Sequence, residues 1–453
     1  MQNTVGSEEF GFYFSLFNFS LLLNIILDFG ITNYNNRNIS QNQNILSKHV
    51  SNIIAIRLIL ALIYAILSIS IALIIGYDPR QMKMLGMLIF NQFLLSFILY
   101  LRSNISGLQM FKTDSVISVL DRLLMIIICG IFIWGNITES SFKIEWLVII
   151  QTISYFITAL TAFFIVLRKT DFFKINFDYK FFRVFLKKSF PYALLALLMS
   201  FYNRIDSVML ERLLINGKEQ TGIYAQAFRI LEGASMFAYL FSVLLLPMFA
   251  KMLKKRESIK SLSNLSFLMI IVPAISVVFI CIFYNNDIMS LMYKEHFDQS
   301  AKILSIIMIG FLGICTTYIF GTLLTSNGSL KYLNIMASCG MILNIILNLI
   351  LIPRYQALGA AISSMTTQLF TGLSQLLIAK KVFHFKNNYK LLVLLFIFIM
   401  FSGVITYIMS RTNLTWYYSA VLSLIICLTL AFALKIFKLK DFLLILKERQ
   451  ESI

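Results

Sequence analysis

The sequence predicts an all-α membrane protein that crosses the bilayer many times. Of its 453 residues, 59% are hydrophobic and only 13% are charged, and the mean hydropathy is +0.82. A soluble globular domain carries about 25% charged residues to cover its surface. A chain this poor in charge therefore has lipid as its solvent, which excludes a soluble enzyme, a secreted domain and a disordered chain.

Thirteen continuous apolar runs are long enough for transmembrane helices, each of which needs about 20 residues. The strands of a membrane β-barrel would instead alternate apolar and polar residues over about 10 positions, and these runs do not alternate. The predicted spans are 12–32, 54–76, 84–101, 117–134, 146–167, 189–210, 222–249, 264–284, 301–323, 332–352, 358–379, 391–409 and 416–436.

The lysines and arginines predict the orientation of these spans, because cytoplasmic loops carry an excess of both. Every second connection, starting after the first span, together with the C-terminal tail holds 28 of the 39 basic residues, and the opposite side holds 9. Arg204 and Arg229 lie inside spans. We expect a multi-pass protein of the cell inner (cytoplasmic) membrane with a cytoplasmic C-terminus. The net charge of +18 is then explained without nucleic acid as a partner.

Short motifs recur along the chain and predict two parallel repeats. EFGFY at 9–13 introduces the first span and EQTGIY at 219–224 introduces the seventh; GLQMFK at 107–112 follows the third span and GSLK at 328–331 follows the ninth. Fixed spacings of this kind are typical of transporters built from internal repeats. Because the second repeat has one more span before its motif, we expect one helix to be missing before Met1. Chance similarity of short motifs is the alternative.

The predicted organisation has four parts. They are an N-lobe of five spans (1–167), a basic amphipathic cytoplasmic linker (168–188), a C-lobe of six spans (189–380), and the final two spans with a cytoplasmic tail (381–453). A basic segment with interleaved phenylalanines is expected to lie on the membrane surface. All five cysteines lie in apolar runs and the histidines stand apart, so we expect no disulfide framework, no metal site and no cofactor.

One stretch resembles a known family. Residues 344–361, NIILNLILIPRYQALGAA, are similar to the signature of the polysaccharide flippases, the Wzx-type O-antigen and capsule repeat-unit translocases of the multidrug/oligosaccharidyl-lipid/polysaccharide (MOP) exporter superfamily. Asp28-Phe-Gly-Ile followed by Arg37, Arg204-Ile-Asp206, and GIYAQAFR at 222–229 resemble the same family in the same order.

This resemblance implies fourteen helices in two pseudo-symmetric lobes around a central cavity, with a C-terminal helix pair. It also implies that the protein is not an enzyme. The family moves undecaprenyl-diphosphate-linked oligosaccharides from the inner to the outer leaflet by alternating access, for O-antigen, capsule or exopolysaccharide synthesis. Expected partners are the lipid-linked oligosaccharide, membrane lipids and other polysaccharide-assembly membrane proteins. The chain departs from the family in its first helix and in Gln356, where Gly is commoner, a departure that we expect to be minor.

Arginine suits the transport of a diphosphate, because its planar fork binds phosphate oxygens in pairs and keeps its charge. Arg204 and Arg229 are predicted to lie about 9 and 10 Å from the outer ends of their spans. We expect Arg204 to face the cavity beside Asp206, Arg229 and the polar Asn203. Arg204 and Arg229 are expected to meet at one level, and Asp206, on a different face from Arg204, could pair with Arg229. Glu232, one turn from Arg229, is the alternative partner. A purely stabilising ion pair between helices is the alternative role.

A second group of charges is predicted at the cytoplasmic entrance of the first lobe. Arg37, Arg57, Asp121 and Arg122 lie near span ends, where they could receive the diphosphate. Ordinary anchoring of the helices at the cytoplasmic interface is the alternative. A second alternative for Arg57 is a simple ion pair with Asp28.

Two other functions compete with the flippase interpretation. A drug or organic-cation exporter of the same superfamily would need an anionic or aromatic pocket, whereas the deep charges include two arginines. A membrane polysaccharide polymerase would need a large external loop, and the external connections are all short. Coupling to voltage or protons is a hypothesis, with Asp206 and Glu232 as the ionisable candidates.

Overall fold

The computed structural model describes residues 1–32, 35, 39, 46–135, 142–170, 172, 179–385 and 388–436. Arg37, much of the linker and the tail from residue 437 lie outside the described residues. The described backbone contains helices and no strands, so the prediction of an all-α protein is confirmed.

The described residues form fourteen α-helices. In chain order they are α1 (Gln2–Val5), α2 (Ser7–Leu22), α3 (Leu46–Ile75), α4 (Pro79–Gly107), α5 (Phe111–Trp134), α6 (Ile144–Leu167), α7 (Tyr179–Leu213), α8 (Gly217–Lys254), α9 (Lys260–Phe283), α10 (Asn285–Met292), α11 (Phe297–Ser326), α12 (Leu330–Phe383), α13 (Tyr389–Ser410) and α14 (Trp416–Ala433), with a 3₁₀ helix (Asn24–Leu27) after α2.

Within the described part of the chain, eleven helices are long and apolar enough to cross a membrane. One of them, α12, contains two helices joined at a kink, and α2 has only 16 residues because the backbone tightens into the 3₁₀ helix where the sequence predicted a continuous span to residue 32. The multi-pass architecture is confirmed, and the count of thirteen spans stays a prediction.

The chain divides into two compact units, residues 1–211 and 212–453. In the first unit, α4 lies at the centre and contacts α2, α3, α5 and α6. In the second unit, α11 has the same central role and contacts α8, α9, α10 and α12, while α9 also contacts α13 and α14. Residues 189–211 group by contact with the first unit, and the predicted lobe boundaries stay a prediction.

The repeated motifs adopt matching local arrangements in the two units. Tyr13 stacks on Phe17 with ring centroids 5.7 Å apart, and Tyr224 stacks on Phe228 at 5.5 Å. Just before each Tyr, an acidic residue pairs with a basic residue further along the chain. Arg80 Nη2 donates to Glu9 Oε2 at 2.6 Å, and His296 Nε2 lies 3.3 Å from Glu219 Oε1. This agreement extends the sequence evidence for repeats.

The kink in α12 lies at Gln356, whose φ is 52° and ψ is −133°. This is a conformation that glycine adopts readily and that strains a residue with a β-carbon. The next backbone N–H, of Ala357, donates to Gln220 Oε1 at 3.3 Å rather than continuing the helix. Beyond the kink the two halves approach closely, because a Cβ added to Gly359 would lie 2.3 Å from Leu351 O. Gln356 therefore stands at a kink of α12 in a backbone conformation that favours glycine.

Small residues bring α11 against the second half of α12. A Cβ on Gly313 would lie 2.2 Å from Gln368 O, and a Cβ on Gly372 would lie 2.6 Å from Gly313 O. Glycine permits this backbone approach, and in lipid such close packing supplies much of the attraction between helices.

We predict that Gly313→Ala destabilises the protein by about 1–3 kcal/mol, because the added methyl group overlaps a backbone carbonyl and α11 must move. Thermal unfolding in detergent measures the effect. Gly233→Ala is the matched control, since a Cβ there meets no atom within 4 Å; it should leave the unfolding midpoint unchanged or slightly raised. Equal effects of the two changes would contradict the packing argument.

We also predict that Gln356→Gly raises the free energy of unfolding by about 1–3 kcal/mol, because it removes the strain of a positive φ. Gln356→Ala serves as the control, since it deletes the same exposed side chain but keeps the β-carbon. The unfolding midpoint should rise for the glycine variant only. If the midpoint of Gln356→Gly is no higher than that of Gln356→Ala, the positive φ at the kink does not destabilise the protein.

Candidate functional site

Polar side chains recur along α2 and the segment that follows it, inside the first unit. We call Ser15, Asn18, Ser20, Asn24 and Asp28 the polar column. Hydrogen bonds join each member to a neighbouring helix or segment, and the contacts recur at roughly every turn. They are Ser15 Oγ to Glu211 Oε2 at 2.6 Å, Arg204 Nη1 to Asn18 Oδ1 at 3.1 Å, Gln92 Nε2 to Ser20 Oγ at 3.2 Å, Asn24 Nδ2 to Gln92 Oε1 at 3.3 Å, and Arg57 Nη2 to Asp28 Oδ1.

Arg57 on α3 lies at the Asp28 end of the polar column and is deeply buried, with 3% of its side chain exposed. It pairs with Asp28, donates through Nη2 to Thr32 Oγ1 at 2.9 Å, and donates through Nη1 to the Ser96 carbonyl at 2.9 Å and to Ser96 Oγ at 2.8 Å. Its guanidinium lies 4.7 Å from the ring centroid of Tyr100. The Asp28–Arg57 pair is confirmed.

Asp28 is held by the backbone as well as by Arg57. Its carboxylate accepts from the N–H groups of Gly30 and Thr32, each at 3.1 Å. The intervening turn has positive φ at Phe29 (43°) and Gly30 (82°), which turns these N–H groups towards the carboxylate. Burial of this kind is tolerated because both charges are paired and hydrogen-bonded. A role for Arg57 in receiving the diphosphate stays a prediction and would require this pair to open.

Arg204 on α7 is half-buried and contacts Asn18 of the polar column. Asp206, two residues further along, is 1% exposed, and a spacing of two residues on α7 places the two side chains on different faces of the helix. Asn203 beside them is half-buried. The cavity-facing role of Arg204 stays a prediction, and the structure adds Asn18 as one contact of its guanidinium.

The predicted partners Arg229 and Glu232 lie on α8 of the second unit. Arg229 is exposed and Glu232 is half-buried, three residues apart on one side of the helix. Because Arg204 belongs to the other unit, the predicted meeting of Arg204 and Arg229 at one depth stays a prediction.

The residues predicted at the cytoplasmic entrance differ in how deeply they are buried. Asp121 is half-buried and Arg122 is exposed, both on α5. Arg57 is buried as described, and Arg37 lies outside the described residues. A shared role for these four residues stays a prediction.

Sequence reasoning missed Glu211, which is buried near the end of α7 and accepts hydrogen bonds from Ser15 Oγ and Gln81 Nε2. The apolar run ended at residue 210, so Glu211 and Arg212 looked like the first residues of a loop. A helical continuation to Leu213 places the carboxylate inside the bundle instead. The helix-starting pattern Asp78-Pro-x-Gln81 was the available signal, because it forms a capping box that fixes Gln81 next to Glu211.

These features define an all-helical, multi-pass membrane protein with repeated units and charged groups held inside the apolar bundle. Family models identify it further: the model described as polysaccharide biosynthesis protein matches residues 1–253, and the MatE model matches residues 191–350. The chain belongs to the polysaccharide biosynthesis protein family, within the MOP superfamily of exporters and flippases.

Relatives and solved structures agree with this assignment. The chain is 28% identical over 199 residues to the capsular polysaccharide biosynthesis protein CapF of Staphylococcus aureus, covering 43% of this chain and 49% of CapF. It is 28% identical over 186 residues to an uncharacterized membrane protein of Methanocaldococcus jannaschii, covering 41% and 43%. The aligned part thus spans about half the length of these relatives.

The fold is shared with known transporters. The lipid II flippase MurJ matches with a TM-score of 0.69 at 16% identity, covering 94% of this chain and 92% of MurJ. An inward-facing multidrug resistance MATE family transporter of the MOP superfamily matches with a TM-score of 0.64 at 15% identity, covering 84% and 92%.

We predict that Arg57→Leu destabilises the protein by about 3–5 kcal/mol, because it removes a guanidinium that is 3% exposed, pairs with Asp28, and donates to Thr32 and Ser96. The matched control is Arg102→Leu on α4, whose pair with Asp114 at 2.7 Å is partly exposed and should cost about 1 kcal/mol or less. Thermal unfolding in detergent ranks the two variants. Adding Asp28→Asn to Arg57→Leu should recover part of the loss, and equal losses for the two arginines would refute the ranking.

Proposed function

We propose that this protein translocates undecaprenyl-diphosphate-linked oligosaccharide repeat units from the inner to the outer leaflet of the cytoplasmic membrane. The product would be used for O-antigen, capsule or exopolysaccharide synthesis. The family match and the fold of a lipid II flippase support lipid-linked substrates. The capsular role named for the S. aureus relative supports a polysaccharide pathway.

The observation that carries the proposal is the half-buried Arg204, oriented by Asn18 inside a chain of this family. The Asn18 amide oxygen accepts a hydrogen bond from Arg204 Nη1 at 3.1 Å. Arg204 is also more exposed than Arg57, whose side chain is 3% exposed. A positioned guanidinium suits the binding of a diphosphate, because it can contact two phosphate oxygens at once.

The transport step would be alternating access, with the sugar and diphosphate in a polar passage and the polyprenyl chain in lipid. Even low scales assign about 2.5–3.5 kcal/mol to one charge at the bilayer centre, so a headgroup with two phosphates needs such a passage. The buried amides and hydroxyls of the polar column provide hydrogen-bonding groups of the kind that sugar hydroxyls bind. No covalent chemistry is part of this function, and the C-terminus would lie in the cytoplasm.

Export of a drug or organic cation is the second candidate, because the MatE model matches residues 191–350 and a multidrug resistance transporter shares the fold. The two functions differ in the charge of the substrate. A cation exporter would be improved or left unchanged by removal of a deep positive charge, whereas a diphosphate flippase would be impaired.

We predict that Arg204→Ala lowers the rate of translocation at least tenfold in proteoliposomes that contain an undecaprenyl-diphosphate oligosaccharide with a labelled sugar. Arg204→Lys should be intermediate, because an ammonium group keeps the charge but lacks the bidentate fork. Arg168→Ala, which removes an exposed arginine beyond the end of α6, is the control and should stay within twofold.

The same proteoliposomes separate the competing interpretations. Unchanged translocation by Arg204→Ala together with its loss in Asp206→Ala would overturn the assignment of Arg204. Transport of an organic cation, with no movement of the labelled oligosaccharide, would favour the exporter and overturn the proposed substrate.

A further inference from the structure

A second charged site lies at one end of the second unit, far along the chain from the residues discussed above. There, a cavity of about 610 Å³ opens where α8 ends, α9 begins and α11 and α12 end. Its lining includes three basic side chains, those of Arg256, Lys260 and His384, and the aromatic rings of Phe383 and Phe385. The positive-inside pattern predicts that this end faces the cytoplasm.

The cavity is positive on balance. Its one lining carboxylate, Glu257, lies 3.7 Å from the ammonium group of Lys255, so it is already balanced by a neighbour. Within the described part of the chain, the side chains of Arg256, Lys260 and His384 make no hydrogen bond or ion pair with another residue. The polar side chains of Ser258 and Asn327 complete the lining.

Two of these basic residues occupy positions where glycine is the usual choice. Arg256 follows the C-terminus of α8 with φ 57°, and His384 follows the C-terminus of α12 with φ 52°. Residues at this point of a helix commonly adopt the left-handed conformation and are usually glycine. Here the chain accepts a strained backbone at both helix ends, and in both cases the side chain lines the cavity.

The helices that border the cavity present apolar side chains outward in the turns leading up to it. On α8 these are Leu244 and Met248, and on α12 they are Leu373 and Leu377, each between 38% and 62% exposed. A ligand that joins an anionic head to acyl chains therefore matches both parts of the surface: its head fits the basic cavity and its chains fit the apolar helix faces.

We propose that this cavity binds the phosphate headgroup of an anionic glycerophospholipid of the membrane. Basic pockets at the cytoplasmic ends of membrane helices are suited to such headgroups, and the cytoplasmic leaflet supplies them. The site is independent of the proposed transport function, since it lies wholly in the second unit and uses none of the residues assigned to the oligosaccharide.

The test is binding of dioctanoyl-phosphatidylglycerol to the full chain in detergent, measured by native mass spectrometry and by the shift in thermal unfolding. The lining variant is Arg256→Gly/Lys260→Ala/His384→Gly. Because glycine relieves the positive φ at both helix ends, this variant should fold at least as stably as the wild type, and weaker binding cannot be attributed to unfolding. We expect its affinity to fall at least tenfold.

The control removes three lysines from the same end of the unit without touching the cavity, in the variant Lys251→Ala/Lys254→Ala/Lys381→Ala. With histidine neutral at pH 7, this is one positive charge more than the lining variant loses. It should change the affinity by less than threefold. Equal losses in the two triple variants would overturn the site in favour of diffuse attraction to a basic surface, as would unchanged binding by the lining variant. Inorganic phosphate and pyrophosphate distinguish the source of the phosphate. If either binds as tightly as the short-chain lipid, the lipid assignment is wrong.

Discussion

The need to satisfy polar groups in a medium without water is the constraint on which the first unit depends. Hydrocarbon offers no hydrogen bonds, so a polar side chain inside the bundle must find a protein partner or a wet surface. The Asp28–Arg57 pair shows the consequence most clearly. The partners of Arg57 come from α4 and from the turn after the 3₁₀ helix. Its contacts therefore link α3 to α4 and to the segment that follows α2.

In the second unit, the central helices are held together by close backbone packing. Its central contact, α11 against α12, depends on glycine and close backbone approach rather than on buried charges. The two units nevertheless repeat the aromatic stack and the acid–base pair near the start of α2 and α8. The features that the two units share, the aromatic stack and the acid–base pair, thus lie near helix ends. The features that differ, buried charges in the first unit and glycine contacts in the second, lie in the interior of each unit.

Hydropathy predicted where the helices lie because lipid demands long apolar runs, and the pairing of Asp28 with Arg57 followed from two buried opposite charges on neighbouring spans. The remainder depended on backbone geometry that hydropathy does not report. The 3₁₀ helix at Asn24–Leu27 is as apolar as the span that it interrupts, so hydropathy does not detect it. Glu211 lies within α7, but because it is charged, hydropathy placed it in the loop after the span. The position of Gln356 was recognised as unusual from the family pattern, but its cost became visible only through a φ of 52°.

Arg57 and Arg204 differ in their surroundings, and this difference bears on the roles proposed for them. Arg57 is surrounded by a carboxylate, a carbonyl, two hydroxyls and an aromatic ring, and this environment neutralises it in place. Arg204 is half-buried and contacts Asn18 of α2. An arginine that binds and releases an anion in each cycle must be accessible to that anion, and a guanidinium with 3% exposure, such as that of Arg57, is not. The difference in exposure between the two arginines is therefore the reason that Arg57 is assigned to the structure of the bundle and Arg204 is the one proposed for phosphate binding.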